Sequence, residues 1–205
     1  MSPHGITALS TRSRTLTVTT ALLLTAAAAA ALPATQANAA QRDDSRQHCV
    51  VSTSGGAPQC YASFTEAVER ATGGRVTDAP ADAREAVRDD DFRTRTRQLA
   101  GSRAAQEDGE VIQGTFFEDS GYGGADLTIY GEGLCDGDKD SRDWRLDQLP
   151  EGWDDRITSL QPWSNCEVWL HSEPELNGDK DGPFKSQTPD IGSIMNDRTR
   201  SIGFN

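Results

Sequence analysis

Trp153-Asp154-Asp155-Arg156-Ile157-Thr158-Ser159 sets an acidic pair two residues ahead of a pair of hydroxyls. Such a turn is a compact supply of hard oxygen ligands, the kind calcium takes in shells of about 6–8. One turn fills only part of a shell, so a second segment has to complete it. Asn196-Asp197-Arg198-Thr199-Arg200-Ser201 repeats the order of amide or acid, acid, two spacers and a sixth-place Ser, but sets Arg200 where the first copy has Thr158. A guanidinium only donates hydrogen bonds and cannot ligate a cation, so one ligand of the second copy is replaced by positive charge.

An aromatic-to-glycine spacing lies upstream of each copy. Phe117-Glu118-Asp119-Ser120-Gly121-Tyr122-Gly123-Gly124 precedes the first, and His171-Ser172-Glu173-Pro174-Glu175-Leu176-Asn177-Gly178 precedes the second. Positions one and six are bulky and position eight is Gly, with His171 and Leu176 standing in for aromatics. Hairpin spacing and acid-hydroxyl clamp together resemble the βγ-crystallin family over about residues 111–205. The resemblance implies an all-β fold, a Greek-key β-sandwich of βγ-crystallin type in which two four-stranded keys pair. It also implies crossed calcium sites. The fifth-position hydroxyl of one clamp meets the second-position acid of the other, so Thr158 belongs with Asp197, and Arg200 with Asp155. Backbone carbonyls complete the set, from Arg156 and Arg198 in the clamps and from Glu118 and Ser172 in the hairpins. With Thr158 intact and Arg200 in the equivalent place, the Thr158–Asp197 site is expected to be the working one.

The remaining chain is read from its residues. Residues 1–39 have the layout of a secretory signal: Arg12 and Arg14, an apolar run from about Ala21 to Leu32, and Ala37-Asn38-Ala39 as a small-residue cleavage site. The apolar run is shorter than the ~20 residues of a membrane span, so the expected location is secreted and extracellular. Residues 41–105 balance 10 acidic against 10 basic side chains, whereas residues 106–205 hold 22 against 8, a net −14. A field of that sign repels nucleic acid and anionic membrane and draws in cations.

Four cysteines in a secreted chain favour disulfides over zinc or free thiols. Spacing alone leaves the connectivity open. Cys49–Cys60 and Cys135–Cys166 is the pairing chosen, since each stays within one compositional half and the first brackets the turn Ser54-Gly55-Gly56-Ala57-Pro58. The two bridges would stabilise by about 3 and about 4 kcal/mol through lost chain entropy.

Residues 40–105 read as a small N-terminal hairpin-helix appendage plus a charged connector, and 106–205 as the Greek-key domain. Cys49-Val50-Val51 and Gln59-Cys60-Tyr61 suit a hairpin; Ser63 with Glu66 makes a capping box for a helix whose inner face is Phe64, Ala67, Val68 and Ala71, stopped at Gly73-Gly74. From Asp82 to Gln98 charge of both signs dominates, and Val87, Phe92 and Leu99 are too sparse for a continuous stripe, so a solvated, partly helical or mobile connector is expected. Strands are expected over Val111–Phe117, Asp126–Tyr130, Cys166–Leu170 and Ser201–Phe204.

Two further acidic loops, Asp136-Gly137-Asp138-Lys139-Asp140 and Asn177-Gly178-Asp179-Lys180-Asp181-Gly182, open like EF-hand loops but lack the closing residues, and are read as turns. Nothing points to catalysis: His4, His48 and His171 stand outside any nucleophile or zinc-hydrolase motif. The expectation is therefore a secreted, non-enzymatic calcium-binding protein. The alternative is an inhibitor of an extracellular metalloproteinase, or a toxin-like protein, on the same scaffold, with Leu134–Leu149 as the docking loop. A carbohydrate-binding role would require an exposed pair among Trp144, Trp153, Trp163 and Trp169.

Overall fold

Phe116 and Phe117 are consecutive and both fully buried, which is possible in a strand only if both faces of its sheet are covered. The computed structural model describes residues 47–100, 110–136 and 142–205, and these residues lie within one unit, Ala40–Asn205. The expected signal segment and the expected boundary at residues 105 and 106 fall outside the described residues. Among the described residues no helix is long and apolar enough to cross a membrane.

The body of the molecule is a β-sandwich. One sheet has five strands, β1 (His48–Ser52), β2 (Gln59–Tyr61), β3 (Val111–Asp119), β4 (Gly123–Gly131) and β6 (Ser159–Pro162), in the order β2-β1-β4-β3-β6. The other has β5 (Trp144–Leu146), β7 (Val168–Glu173), β8 (Asn177–Phe184) and β9 (Ser201–Phe204), in the order β5-β9-β7-β8. The two repeats exchange elements. β5, which lies in sequence between β4 and β6, crosses to pair with β9, and Thr188 of the second repeat bridges to Leu160 of the first sheet. Between the sheets Phe116, Leu127, Ile129 and Leu160 meet Val168, Leu170, Ile202 and Phe204.

The second core lies on the outer face of the five-stranded sheet. Ile112, Phe117, Tyr130, Trp163 and Val50 pack there against helices α1 (Phe64–Ala71), α2 (Ala83–Arg88) and α3 (Asp90–Ala100). Phe92 of α3 is wedged edge-on between Phe64, at 6.3 Å between ring centroids, and Trp163, at 5.4 Å. α1 begins at Ser63, whose hydroxyl accepts from the Glu66 amide, and buries Phe64, Ala67, Val68 and Ala71. The hairpin β1–β2 is tied by Cys49–Cys60, and β1 runs parallel to β4 from His48 opposite Asp126 to Ser52 opposite Tyr130. Cys135–Cys166 ties the segment after β4 to the entry of β7.

The stretch expected as a charged connector differs from that expectation. Asp82 and Asp89 accept from the Arg84 and Phe92 amides and so cap two helix starts, and Ala83, Ala86, Val87 and Phe92 are buried. Alanines complete a stripe that the larger residues alone leave too thin. The acidic run Asn177–Gly182 is also no loop: it lies in β8, where extended backbone holds alternate side chains about 7 Å apart, too far for one ion to be shared between neighbours. Asp138 and Asp140 lie outside the described residues.

Candidate metal centre

Both hairpins that precede the clamps turn in the same way. Gly121, Tyr122 and Gly124 have φ of +66°, +66° and +73°; Glu175, Leu176 and Gly178 have +59°, +61° and +75°. The second hairpin therefore departs from the first in its side chains and keeps its backbone. Gly is required at position eight, where a Cβ on Gly124 would stand 2.9 Å from Glu118 Cβ, and one on Gly178 would stand 2.4 Å from Ser172 Oγ.

The sixth-position serines fasten each clamp to its hairpin. Buried Ser159 accepts from the Tyr122 amide (3.1 Å) and donates to the Asp119 carbonyl (2.6 Å); Ser201 accepts from the Leu176 amide (3.0 Å) and donates to the Glu173 carbonyl (2.5 Å). Fifth-position amides do the same work: Thr158 N–H donates to the Phe117 carbonyl and Arg200 N–H to that of His171. Second-position amides then cross between the repeats, Asp155 to the Thr199 carbonyl and Asp197 to that of Ile157. Asp155 and Asp197 both adopt left-handed backbone, φ +59° and +53°.

This frame brings Thr158 and Asp197 together, with the hydroxyl 3.4 Å from Asp197 Oδ1, Thr158 half-buried and Asp197 exposed. It also brings Arg200 onto Asp155, with Nε 3.2 Å from both carboxylate oxygens and Nη2 2.7 Å from Oδ2. The guanidinium fork takes up both oxygens of the carboxylate that an ion would use. That pairing raises the Arg200 pKa. Neighbouring Asp154 is raised too, by partial burial first and by Asp155 second, with Arg200 opposing.

The other expected ligands are arranged around this frame. The Arg156 side chain pairs with the Glu118 carboxylate and caps the Gly152 carbonyl, and Arg198 pairs with Asp179 (2.8 Å) and caps the Ile194 carbonyl. Both guanidiniums therefore point away, while the Arg156 and Arg198 carbonyls accept no hydrogen bond among the described residues. The Ser172 hydroxyl accepts from the Asp179 amide. No group of three or more His, Cys, Asp or Glu side chains suited to a metal occurs among the described residues. An ion at Thr158 and Asp197 would thus depend on one carboxylate, one hydroxyl, carbonyls and water, a hard-oxygen set that suits calcium and leaves zinc or copper without their nitrogen and sulfur ligands.

The alternatives find less. Trp153 and Trp163 are buried, and half-buried Trp144 packs on the inter-sheet core, so no exposed tryptophan pair forms. Part of Leu134–Leu149, the docking loop of the inhibitor reading, lies outside the described residues.

Reasoning from sequence missed a buried pair. His48 Nδ1 lies 2.5 Å from Asp126 Oδ2, joining β1 to β4 with both residues nearly inaccessible. Burial pushes the Asp126 pKa up to about 6, against the lowering influence of His48. The pair is 78 residues apart in sequence, and neither residue stands in a motif.

No protein-family profile matches the chain, and no curated protein matches it. Solved structures similar to it include a point mutant of a βγ-crystallin domain from Clostridium beijerinckii, 28% identical, over 45% of this chain and 95% of that one, with a TM-score of 0.34. A clostrillin double mutant in complex with nickel is 26% identical over 45% and 95%, with a TM-score of 0.34. A βγ-crystallin domain from Flavobacterium johnsoniae is 21% identical over 45% and 92%, with a TM-score of 0.32. The resemblance to βγ-crystallin domains expected from the sequence is thus met again among solved bacterial structures, over 45% of the chain.

Proposed function

We propose that the protein is a secreted, non-enzymatic calcium-binding module whose sandwich is a pair of βγ-crystallin-type Greek keys carrying an N-terminal hairpin-helix appendage. The observation that carries this reading is the crossed clamp, which sets the Thr158 hydroxyl beside the Asp197 carboxylate and, among the described residues, leaves the Arg156 and Arg198 carbonyls without a hydrogen-bond donor. Thr158 and Asp197, with one clamp carbonyl and one hairpin carbonyl from the set Arg156, Arg198, Glu118 and Ser172, would hold one ion. When bound, calcium supplies a cross-link between the two repeats. The residues themselves provide the preorganisation: Ser159 and Ser201 fix each clamp on its hairpin, and the crossed amides fix the clamps on each other. At Asp155 the Arg200 guanidinium takes the cation's role without an ion.

An ion that binds only the folded chain stabilises it by RT ln(1 + [L]/Kd), about 2.7 kcal/mol at a hundredfold excess over Kd. The acidic surface favours a cation as partner and disfavours nucleic acid and anionic membrane. Calorimetric titration of the chain lacking residues 1–39 tests the reading: about one calcium per chain and a higher melting temperature are expected. No heat of binding and no change in melting temperature at millimolar calcium would remove the proposal.

A further inference from the structure

The two hairpins share one backbone, yet only the first is loaded by a second layer. Tyr122 and Leu176 hold the same position, with φ of +66° and +61°. Tyr122 is 8% exposed and belongs to the core beneath the helices, whereas Leu176 is half-buried and stands outside that core. A bulky side chain on left-handed backbone is disfavoured, and it persists where its surroundings hold it.

What holds Tyr122 is the helical layer. Its ring meets Phe117 edge-on at 5.5 Å, and both residues lie in the helix-side core. A small cavity of about 20 Å³ is lined by Tyr122, Gly123 and Gly124 together with Asp82, Ala83 and Arg84 at the start of α2. Burial raises the Tyr122 pKa, with Arg88 of α2 and Arg93 of α3 opposing, so the charges of both helices are felt at the phenol.

The backbone of the same hairpin is bound to the first clamp. Ser159 accepts from the Tyr122 amide and donates to the Asp119 carbonyl, Thr158 N–H donates to the Phe117 carbonyl at 2.9 Å, and the Arg156 guanidinium pairs with the Glu118 carboxylate. Phe117 stands opposite Ser159 across β3 and β6, which puts the Glu118 carbonyl on the Thr158 side. The Ser172 carbonyl falls on the other side, where Arg200 N–H donates to His171. Residues 117–122 are thus one short peptide with helices packed on its aromatic rings and the clamp hydrogen-bonded to its backbone. Were the layer to lift, Tyr122 would lose what holds it in left-handed backbone, its amide would be free to leave Ser159, and the Glu118 carbonyl would have no fixed place beside Thr158.

We propose that the helical layer regulates the calcium site through this hairpin: docked, α1–α3 keep the Glu118 carbonyl in place beside Thr158, and a bound ion in return holds the layer on the sheet. The proposal rests on the reading of Thr158 and Asp197 as calcium ligands. Coupling between two sites is reciprocal, so the ion favours the docked layer by the same factor by which the docked layer favours the ion. The second hairpin, alike in backbone and outside the helix-side core, has no such link.

The test uses the chain lacking residues 1–39, which keeps the whole of the unit Ala40–Asn205. Phe92→Ala loosens the layer between Phe64 and Trp163, and Val87→Ala, a smaller truncation of a buried α2 side chain, carries the test if Phe92→Ala does not fold. Both measurements are made well below the melting temperature of the variant. In the presence of chelator, amide hydrogen exchange read by mass spectrometry should quicken about tenfold in residues 118–124, while residues 172–178 keep the wild-type rate. In calorimetry about one calcium should still bind per chain, with Kd raised about tenfold. A sandwich that is merely less stable would quicken both hairpins together and leave the Kd of the folded chain unchanged. Tyr122→Ala should weaken calcium as the layer variants do, and Tyr122→Phe, which keeps the ring, should bind like the wild type. A wild-type Kd in the layer variants, or equal exchange in the two hairpins, overturns the regulation and leaves the calcium reading standing. Absence of calcium binding by the wild-type chain removes both.

Discussion

Thr158 and Arg200 occupy one position of two related clamps, and the difference between them is a ligand against a charge. A hydroxyl leaves Asp197 available to a cation, whereas the guanidinium closes both oxygens of Asp155. Thr158→Arg should abolish the calcium-dependent rise in melting temperature. Arg200→Thr should instead raise the calorimetric stoichiometry from about one calcium to about two. If Thr158→Arg keeps the full wild-type rise, calcium is bound elsewhere or not at all. This contrast was legible in six residues of sequence because the clamp is local, whereas the crossed partner of each ligand was only implied by the resemblance to βγ-crystallins.

His48 and Asp126 were not legible, because no local pattern announces a contact made by folding two distant strands together. Asp126 with a pKa near 6 holds its proton more tightly in the folded chain than at its ordinary 3.8. The stability it contributes therefore falls as pH rises from about 4 to about 6, and is level above. Urea melts across that interval should show the slope in the native chain and a flatter profile in Asp126→Asn. An unchanged slope would mean that other groups set it.

At the level of elements, strands that carry β-branched and aromatic residues were read correctly in place and type, among them β3, β4, β7 and β9. β6 (Ser159–Pro162) and β8 (Asn177–Phe184) were not, because their residues have little strand preference of their own and are extended only through pairing with β3 and β7. α2 and α3 were underestimated because small buried alanines add to a helix face without standing out in hydropathy. Phe92 is the test of that packing. Phe92→Ala should lose about 3–5 kcal/mol, read from denaturant unfolding, since the space between Phe64 and Trp163 has no other side chain to fill it. A loss below 1 kcal/mol would show that the helices lie loosely on the sheet.

For the whole molecule, composition indicated a sandwich but could not indicate that one of its sheets is covered twice. That depends on Phe117, Ile112, Tyr130 and Trp163 having a second apolar layer to meet, supplied by residues 47–100. Residues 106–205 produced alone would bare those four side chains, at about 1.5–3 kcal/mol each. Such a fragment should melt at least ~10 °C below the longer chain and bind a hydrophobic dye that the longer chain does not. Equal melting temperatures would show that the helical layer adds nothing to the sandwich.

β9 has a neighbour on each side, β5 and β7, and Phe204 reaches the centre of the inter-sheet core. A ribosome releases this strand after every other strand of the sandwich. Until β9 is in place the four-stranded sheet is divided at its middle, with β5 detached from β7, and only residues 201–204 can close that gap. Folding of the second repeat therefore waits on β9, and a chain cut short before β9 should remain accessible to protease at β7 while the hairpin β3–β4 has already formed.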